Sequence, residues 1–247
     1  TSIFLLFCFL LPNIAIITTI TITNDMKNTH VLLIKFKNKI SDDEVQFFRS
    51  SIIQKLGDQP DILYHNHVEK NKYRYSYPLI QYKNIEQQAT IVCIDQGTKA
   101  IEKFFSQCDF NFQLGNRKVN MKFASVTPYK LLIERQSKMI NYHIHNWLPL
   151  NSDNYKKYQN ISILSERINF LEKILIGNIL SFTKGVNYFI DFPLQCKLLQ
   201  LSFAKLISNK NIKLMSFDAD FQCNLNLPDY IGIGKHTSIG YGTITRN

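Results

Sequence analysis

Thr29-His-Val-Leu-Leu-Ile-Lys-Phe-Lys37, with Ser41-Asp-Asp-Glu44 and the run Val45–Leu56 behind it, decides how this chain is built. Residues 29–37 are apolar at nearly every position, the pattern of a buried strand. Ser41 offers a hydroxyl N-cap with Glu44 three residues on, which is a capping box. The helix it opens puts Val45, Phe48, Ile52 and Leu56 on one face, and Gly57 stops it. Strand segments follow at Ile62–His67 and Tyr73–Tyr77, then at Leu79–Ile85 and Ala89–Asp95, the last two joined by the short polar Glu86-Gln-Gln88. Gly97 precedes a helix with Ile101, Phe104 and Phe105 inward, and a strand pair surrounds Gly115-Asn116. The order strand–helix–strands–helix–strand predicts an α+β, ferredoxin-like unit with two helices on one face of an antiparallel sheet. The other face of that sheet is expected to be free, and many RNA-binding modules use such a face.

A second unit is expected after Pro128. Lys130–Leu148 reads as strand and Asn151–Tyr158 as a short helix. Ile161–Lys184 is the longest helix, with Leu164, Ile168, Leu171, Leu175, Ile179 and Phe182 three or four residues apart and Gly185 past its end. Strands are predicted near Val186–Ile190, Lys197–Ser202 and Lys213–Asn226, before a Gly-rich terminus. This unit has one dominant helix rather than two, a degraded copy of the first. The chain then divides into residues 1–25, an N-terminal unit 26–127 and a C-terminal unit 128–247.

Composition narrows the partners. Of 247 residues 45% are hydrophobic and 19% charged, a globular balance that excludes a disordered tail. Residues 1–25 hold no Lys or Arg and a single acid, Asp25, so residues 26–247 carry 29 basic against 18 acidic side chains, a formal +11. A basic globular body points to a polyanion, nucleic acid before membrane. Five cysteines (Cys8, Cys93, Cys108, Cys196 and Cys223) show no CxxC spacing, which fits a reducing cytoplasm better than a disulfide framework or a zinc site. The apolar stretch at Ile3–Leu11, broken by Pro12-Asn13, lacks the basic n-region of a signal peptide and falls short of a membrane span. Residues 1–25 are therefore read as translated sequence upstream of a start at Met26, with a membrane anchor as the competing reading.

Three features could carry chemistry. In Tyr64-His65-Asn66-His67 the two histidines, at i and i+2 of a strand, face the same way. RNA carries its own nucleophile, so one imidazole can deprotonate a 2′-hydroxyl while the other protonates the leaving 5′-oxygen, without metal. From the spacing alone, a pair of surface imidazoles making ordinary hydrogen bonds is the stronger reading. His143-Ile144-His145 repeats it, but with Trp147 and Leu148 beside it that run reads as a strand packed on the core. A four-imidazole metal site would need the two strands to meet. Second, Lys70–Lys83 (KNKYRYSYPLIQYK) sets Tyr73, Tyr75 and Tyr77 on one face and Lys72, Arg74 and Ser76 on the other. That mixture can hold phosphates and stack on unpaired bases, or form a solvated edge strand. Third, Gly232-Ile-Gly234-Lys235-His-Thr-Ser-Ile-Gly240-Tyr-Gly242 is neither a Rossmann fingerprint nor a P-loop, because only five residues follow it. Glycine-lined turns bring backbone N–H groups close to a polynucleotide, and they also make plain hairpin corners.

Residues 227–244 (LPDYIGIGKHTSIGYGTI) resemble the signature Gly-rich loop of the CRISPR-associated endoribonucleases that cut precursor CRISPR RNA within its repeats. YSYPLIQYKNIEQQATIVCIDQG (75–97), LYHNH (63–67), and WLPLN (147–151) followed by FLEKILIGNILSF (170–182) are similar to the branch of that family called "b". The resemblance runs from Met26 to Asn247; residues 1–25 have no counterpart, and Cys93 stands where a Gly is frequent. It implies two ferredoxin-like domains in tandem and metal-independent, cofactor-free cleavage to a 2′,3′-cyclic phosphate and a 5′-hydroxyl. It also implies that His65 and His67 are the catalytic pair, with Tyr64 and Lys83 as helpers at the scissile phosphate. Lys72, Tyr73, Arg74 and Tyr75 would contact RNA, as would Gly232, Gly234, Lys235, Gly240 and Gly242. The implied partner is the precursor CRISPR RNA repeat. Effector-complex subunits and a homodimer are left open, and neither DNA nor a membrane is expected. The alternative within the family is a repeat-binding subunit that does not cut. A basic scaffold without RNA is a third class.

Overall fold

The structure is a computed structural model, and it describes residues 10–11, 14–15, 26–56, 67–69, 72–73, 77–209 and 212–247. Strand β1 (Met26–Lys39) is longer than the apolar run that predicts it. A 3-10 turn (Asp42–Glu44) leads into α1 (Val45–Leu56), and the Ser41 amide donates to Glu44 Oε2 at 2.9 Å, the returning half of the capping box. Short strands β2 (His67–Glu69) and β3 (Lys72–Tyr73) pair with each other. Strands β4 (Ile80–Ile85) and β5 (Gln88–Ile94) form a hairpin whose central residues, Glu86 and Gln87, both have positive φ, as a tight primed turn requires. Helix α2 (Gln96–Phe105) and the hairpin β6 (Asn111–Leu114)–β7 (Arg117–Asn120) complete the run before β8. The predicted Gly57 stop, Ile62–Asn66 and Arg74–Ser76 lie outside the described residues.

Strand β8 (Phe123–Trp147) organises the molecule. Its first half, Phe123–Glu134, pairs with β1, and its second half pairs with β11 (Ile212–Leu225) and β12 (Thr243–Arg246). The two halves of the chain therefore share one eight-stranded antiparallel sheet, ordered β9 (Cys196–Leu201)–β11–β8–β1–β5–β4, with β10 (Lys205–Asn209) on β11 and β12 on β8. Pro128, read from the sequence as the start of a new unit, lies inside β8 opposite Leu32. Proline fits there because that half of β8 has β1 on one side and no other described strand on the other.

Each half has the ferredoxin-like strand order, with the fourth strand beside the first, then the third, then the second. In the first half the order is β8–β1–β5–β4, and α1 and α2 cover one face. Val45, Phe48, Ile52 and Ile101 are buried there against Leu32, Ile34, Phe36 and Ile91. In the second half it is β12–β8–β11–β9, covered by α4 (Leu164–Gly185), which buries Leu171, Leu175, Ile179 and Phe182. Helix α3 (Ser152–Asn160) precedes it, with Asn151 Oδ1 accepting from the Asn154 amide as N-cap. The second helix of a complete ferredoxin-like unit is replaced by the connection 226–242, the Gly-rich segment. Val186–Ile190, predicted as strand, is irregular. Val186 and Tyr188 are buried, and the apolar signal came from packing rather than from a ladder.

The expectation of a free sheet face in the first half is overturned. Val31, Leu33, Ile85 and Val92 on that face are buried, with Tyr129 of β8 and Tyr230 of the Gly-rich connection packed on them.

Candidate functional site

Among the described residues, polar side chains converge where the Gly-rich connection meets β4, an edge strand of the shared sheet. Gln81 and Lys83, two residues apart on β4, present side chains to the same face, and both are 0% exposed. Tyr77, just before the strand, donates from its hydroxyl to the Gly232 carbonyl at 2.8 Å. Gln81 closes the ring. Its Nε2 donates to Tyr77 Oη at 2.8 Å and to the Pro78 carbonyl at 3.0 Å, while its Oε1 accepts from the Gly232 amide at 2.8 Å. Lys83 Nζ donates to Thr243 Oγ1 at 3.0 Å, and Thr243 Oγ1 donates to the Gly240 carbonyl at 2.9 Å. Burial pushes the Lys83 ammonium down to about 7 and raises the Tyr77 phenol well above its ordinary range.

The connection is folded on itself by backbone bonds. Ile233 N donates to Gly242 O at 2.7 Å, Tyr230 N to Ile244 O at 2.7 Å and Ile244 N to Ile231 O at 2.9 Å. Two glycines are dictated by this packing. Gly242 has φ +65°, and a Cβ there would lie 1.9 Å from Ile233 O. Gly234 has φ +106°, and a Cβ would meet the Trp147 ring at 2.9 Å. Gly232 and Gly242 are buried, whereas Gly234, Gly240 and Lys235 are partly exposed.

The other site residues named from sequence divide in two. Tyr64, His65, Arg74 and Tyr75 lie outside the described residues. His67 begins β2 opposite Tyr73 on β3, and Lys72 pairs with Glu69. Lys83, read as a group at the scissile phosphate, is buried on Thr243. Tyr77, read as a stacking face, packs edge-on against Phe182 with ring centroids 5.1 Å apart. Sequence reading missed Gln81 and Thr243, because no local pattern marks a glutamine or a threonine that bonds to a segment 150 residues away.

The second HxH pair lies elsewhere on the sheet. Ile144 is buried against α4, and His143 and His145 take the opposite face, lining a cleft of about 600 Å³ with Asp42, Asn84, Tyr230 and Tyr241. Among the described residues, the strand that His67 begins pairs with β3, whereas His143 and His145 pair within β8 against β11 and β12. No group of three or more His, Cys, Asp or Glu among the described residues is placed to hold a metal ion. No described helix is long and apolar enough to cross a membrane.

Residues 26–130 match the Cas6b N-terminal domain family and residues 134–247 the Cas6b C-terminal domain family. The chain belongs to the Cas6b family. A crystal structure of Cas6b superposes with a TM-score of 0.77 at 27% identity, covering 90% of this chain and 100% of that one. A second, a CRISPR RNA processing endoribonuclease Cas6b, gives a TM-score of 0.68 at 26% identity with the same coverage. An uncharacterized protein of Methanocaldococcus jannaschii is 37% identical over 109 residues, 44% of this chain and 73% of that protein. Here the Gly-rich connection joins β11 to the short strand β12.

Proposed function

We infer that this Cas6b protein cleaves precursor CRISPR RNA within its repeats. Membership of the family over both halves carries this reading, since one of its solved relatives is a CRISPR RNA processing endoribonuclease. His65 and His67 are the proton-transfer pair. One imidazole takes the 2′-hydroxyl proton, the 2′-oxygen attacks the adjacent phosphorus, and the other imidazole protonates the departing 5′-oxygen. The P–O5′ bond breaks as the P–O2′ bond forms, leaving a 2′,3′-cyclic phosphate and a 5′-hydroxyl. No metal is needed for that exchange, because nucleophile, base and acid are all supplied by RNA and imidazoles. Tyr64 steadies the scissile phosphate, and Lys83 acts from within the fold. The pairing of His67 with Tyr73, and of Glu69 with Lys72, supports the grouping, and Lys72, Tyr73, Arg74 and Tyr75 supply the basic and aromatic groups that hold phosphates and stack on unpaired bases. Lys235 and the exposed turns at Gly234 and Gly240 extend the RNA contact.

The test is cleavage of the chain's own genomic repeat RNA in EDTA, with binding and cutting measured separately for wild type, His65→Ala and His67→Ala. A single cut, lost in a histidine variant that still binds, establishes the nuclease. Tight binding with no cut in the wild type would leave a repeat-binding subunit. Absence of repeat binding would reject both.

A further inference from the structure

Lys83 is a buried amine with a neutral partner. It is 0% exposed, it donates to Thr243 Oγ1, and among the described residues no carboxylate forms a salt bridge with it. Burying a charge without an opposite charge is costly, and an apolar side chain of similar length would sit in that position at less expense. What the lysine adds is direction. From an edge strand of the first unit it reaches the hydroxyl that in turn holds the Gly240 carbonyl, so one side chain links β4 to the turn of the Gly-rich connection. The neighbouring Tyr77–Gln81–Gly232 ring holds the other end of the same connection to the same strand. Backbone bonds close the connection on itself and on β12, and the side chains of Gln81 and Lys83 tie it to β4.

We propose that Lys83 is a positioning residue for the RNA-processing reaction: with Thr243 it pins the Gly-rich connection to β4, so that both units of the protein offer the repeat RNA one surface of fixed shape. This rests on the reading that the chain binds and cuts repeat RNA. In that reading Lys83 touches neither substrate nor reacting atoms. Without the pin, the binding-competent arrangement is one of several, and apparent RNA affinity falls by the fraction of time it is occupied.

The experiment compares full-length wild type, Lys83→Met, Thr243→Val, Thr243→Ser and the Lys83→Met/Thr243→Val double variant. Three readouts are taken: backbone hydrogen exchange over residues 229–244 without RNA, affinity for repeat RNA carrying a 2′-deoxyribose at the cut, and single-turnover rate at saturating RNA. Exchange in the segment is expected to quicken about tenfold in Lys83→Met and Thr243→Val and to return to wild type in Thr243→Ser. RNA affinity should weaken about tenfold in the same two variants, and the saturating rate should fall less than about threefold. The double variant should be no worse than either single one, because both remove the same contact. Unchanged exchange in Lys83→Met and Thr243→Val overturns the proposal. So does a saturating rate lost about a hundredfold or more with exchange and affinity intact, since that marks a group acting on the phosphate. If Lys83→Met does not fold, the Val and Ser variants of Thr243 decide alone. Should the wild type neither bind nor cut repeat RNA, the exchange measurement still tests the pin, so failure of the function and failure of the pin are told apart.

Discussion

His143 Nδ1 lies 2.7 Å from Asp220 Oδ1 across the β8–β11 ladder, with the two side chains 39% and 28% exposed. His145 Nδ1 stands 2.9 Å from Asp218, which Lys205 also reaches. A carboxylate only accepts, so each imidazole carries its proton on Nδ1. These are solvated cross-strand pairs, each worth at most about 1 kcal/mol. Replacing both His143 and His145 by Ala should leave repeat cleavage within about threefold of wild type and stability within about 1–2 kcal/mol. Rates and thermal melting of that double variant, beside His65→Ala, decide which HxH pair does proton chemistry. Loss of cleavage with binding retained in the 143/145 variant would move the active site to the second unit.

The Lys83 ammonium is depressed to about 7 in the fold against an ordinary lysine value of 10.5. Below pH 7 it is charged in both folded and unfolded chains. Between pH 7 and 10.5 the unfolded chain holds the proton and the folded one does not, so raising pH favours the fold across that window. Urea unfolding at pH 7, 8 and 9 should show wild type gaining on Lys83→Met by up to about 1.4 kcal/mol per pH unit. Parallel curves would mean that the amine is not buried as described.

Two glycine substitutions should act in opposite directions. Gly242→Ala forces a Cβ to 1.9 Å from Ile233 O at a φ of +65°, and a loss of about 3 kcal/mol or more is expected. Gly177, in the interior of α4, has nothing within 4 Å of its Cβ position, and Gly177→Ala should stabilise by about 0.5–1 kcal/mol through helix propensity. Thermal denaturation of both variants is sufficient. Equal behaviour of the two would contradict the packing of the Gly-rich connection.

Cleavage by 2′-oxygen attack predicts full activity in EDTA and none on RNA with a 2′-deoxyribose before the cut. Imidazole is the side chain whose ordinary charge change falls between about pH 5 and 8, so a rate carried by one imidazole base and one imidazole acid should rise and fall across that range. Product from the deoxy substrate would rule out this route.

The regular elements were legible because their signals are local. The Val45, Phe48 and Ile52 face of α1, the β4–β5 hairpin, the hairpin at Gly115-Asn116 and the α4 face at Leu171, Leu175, Ile179 and Phe182 all follow from spacing within one element, and the two helix faces are buried as spacing requires. Continuity of β8 through Pro128 was not legible, since proline reads as a break until the strand is seen to lack a neighbour on that side. Nor was Val186–Ile190, where buried Val186 and Tyr188 gave a strand-like run without a partner strand.

By itself the sequence determined the fold class, the single dominant helix of the second unit, and the family, through motifs each contained within some twenty residues. Tertiary structure alone decided that Lys83 is buried on Thr243, that Gln81 and Tyr77 hold Gly232, and that Tyr230 covers the sheet face expected to be open. The reason is physical. A periodic pattern reports which side of a helix or strand is apolar. Whether a polar side chain is solvated or buried depends on which distant backbone comes to lie against it, here one 160 residues further along the chain.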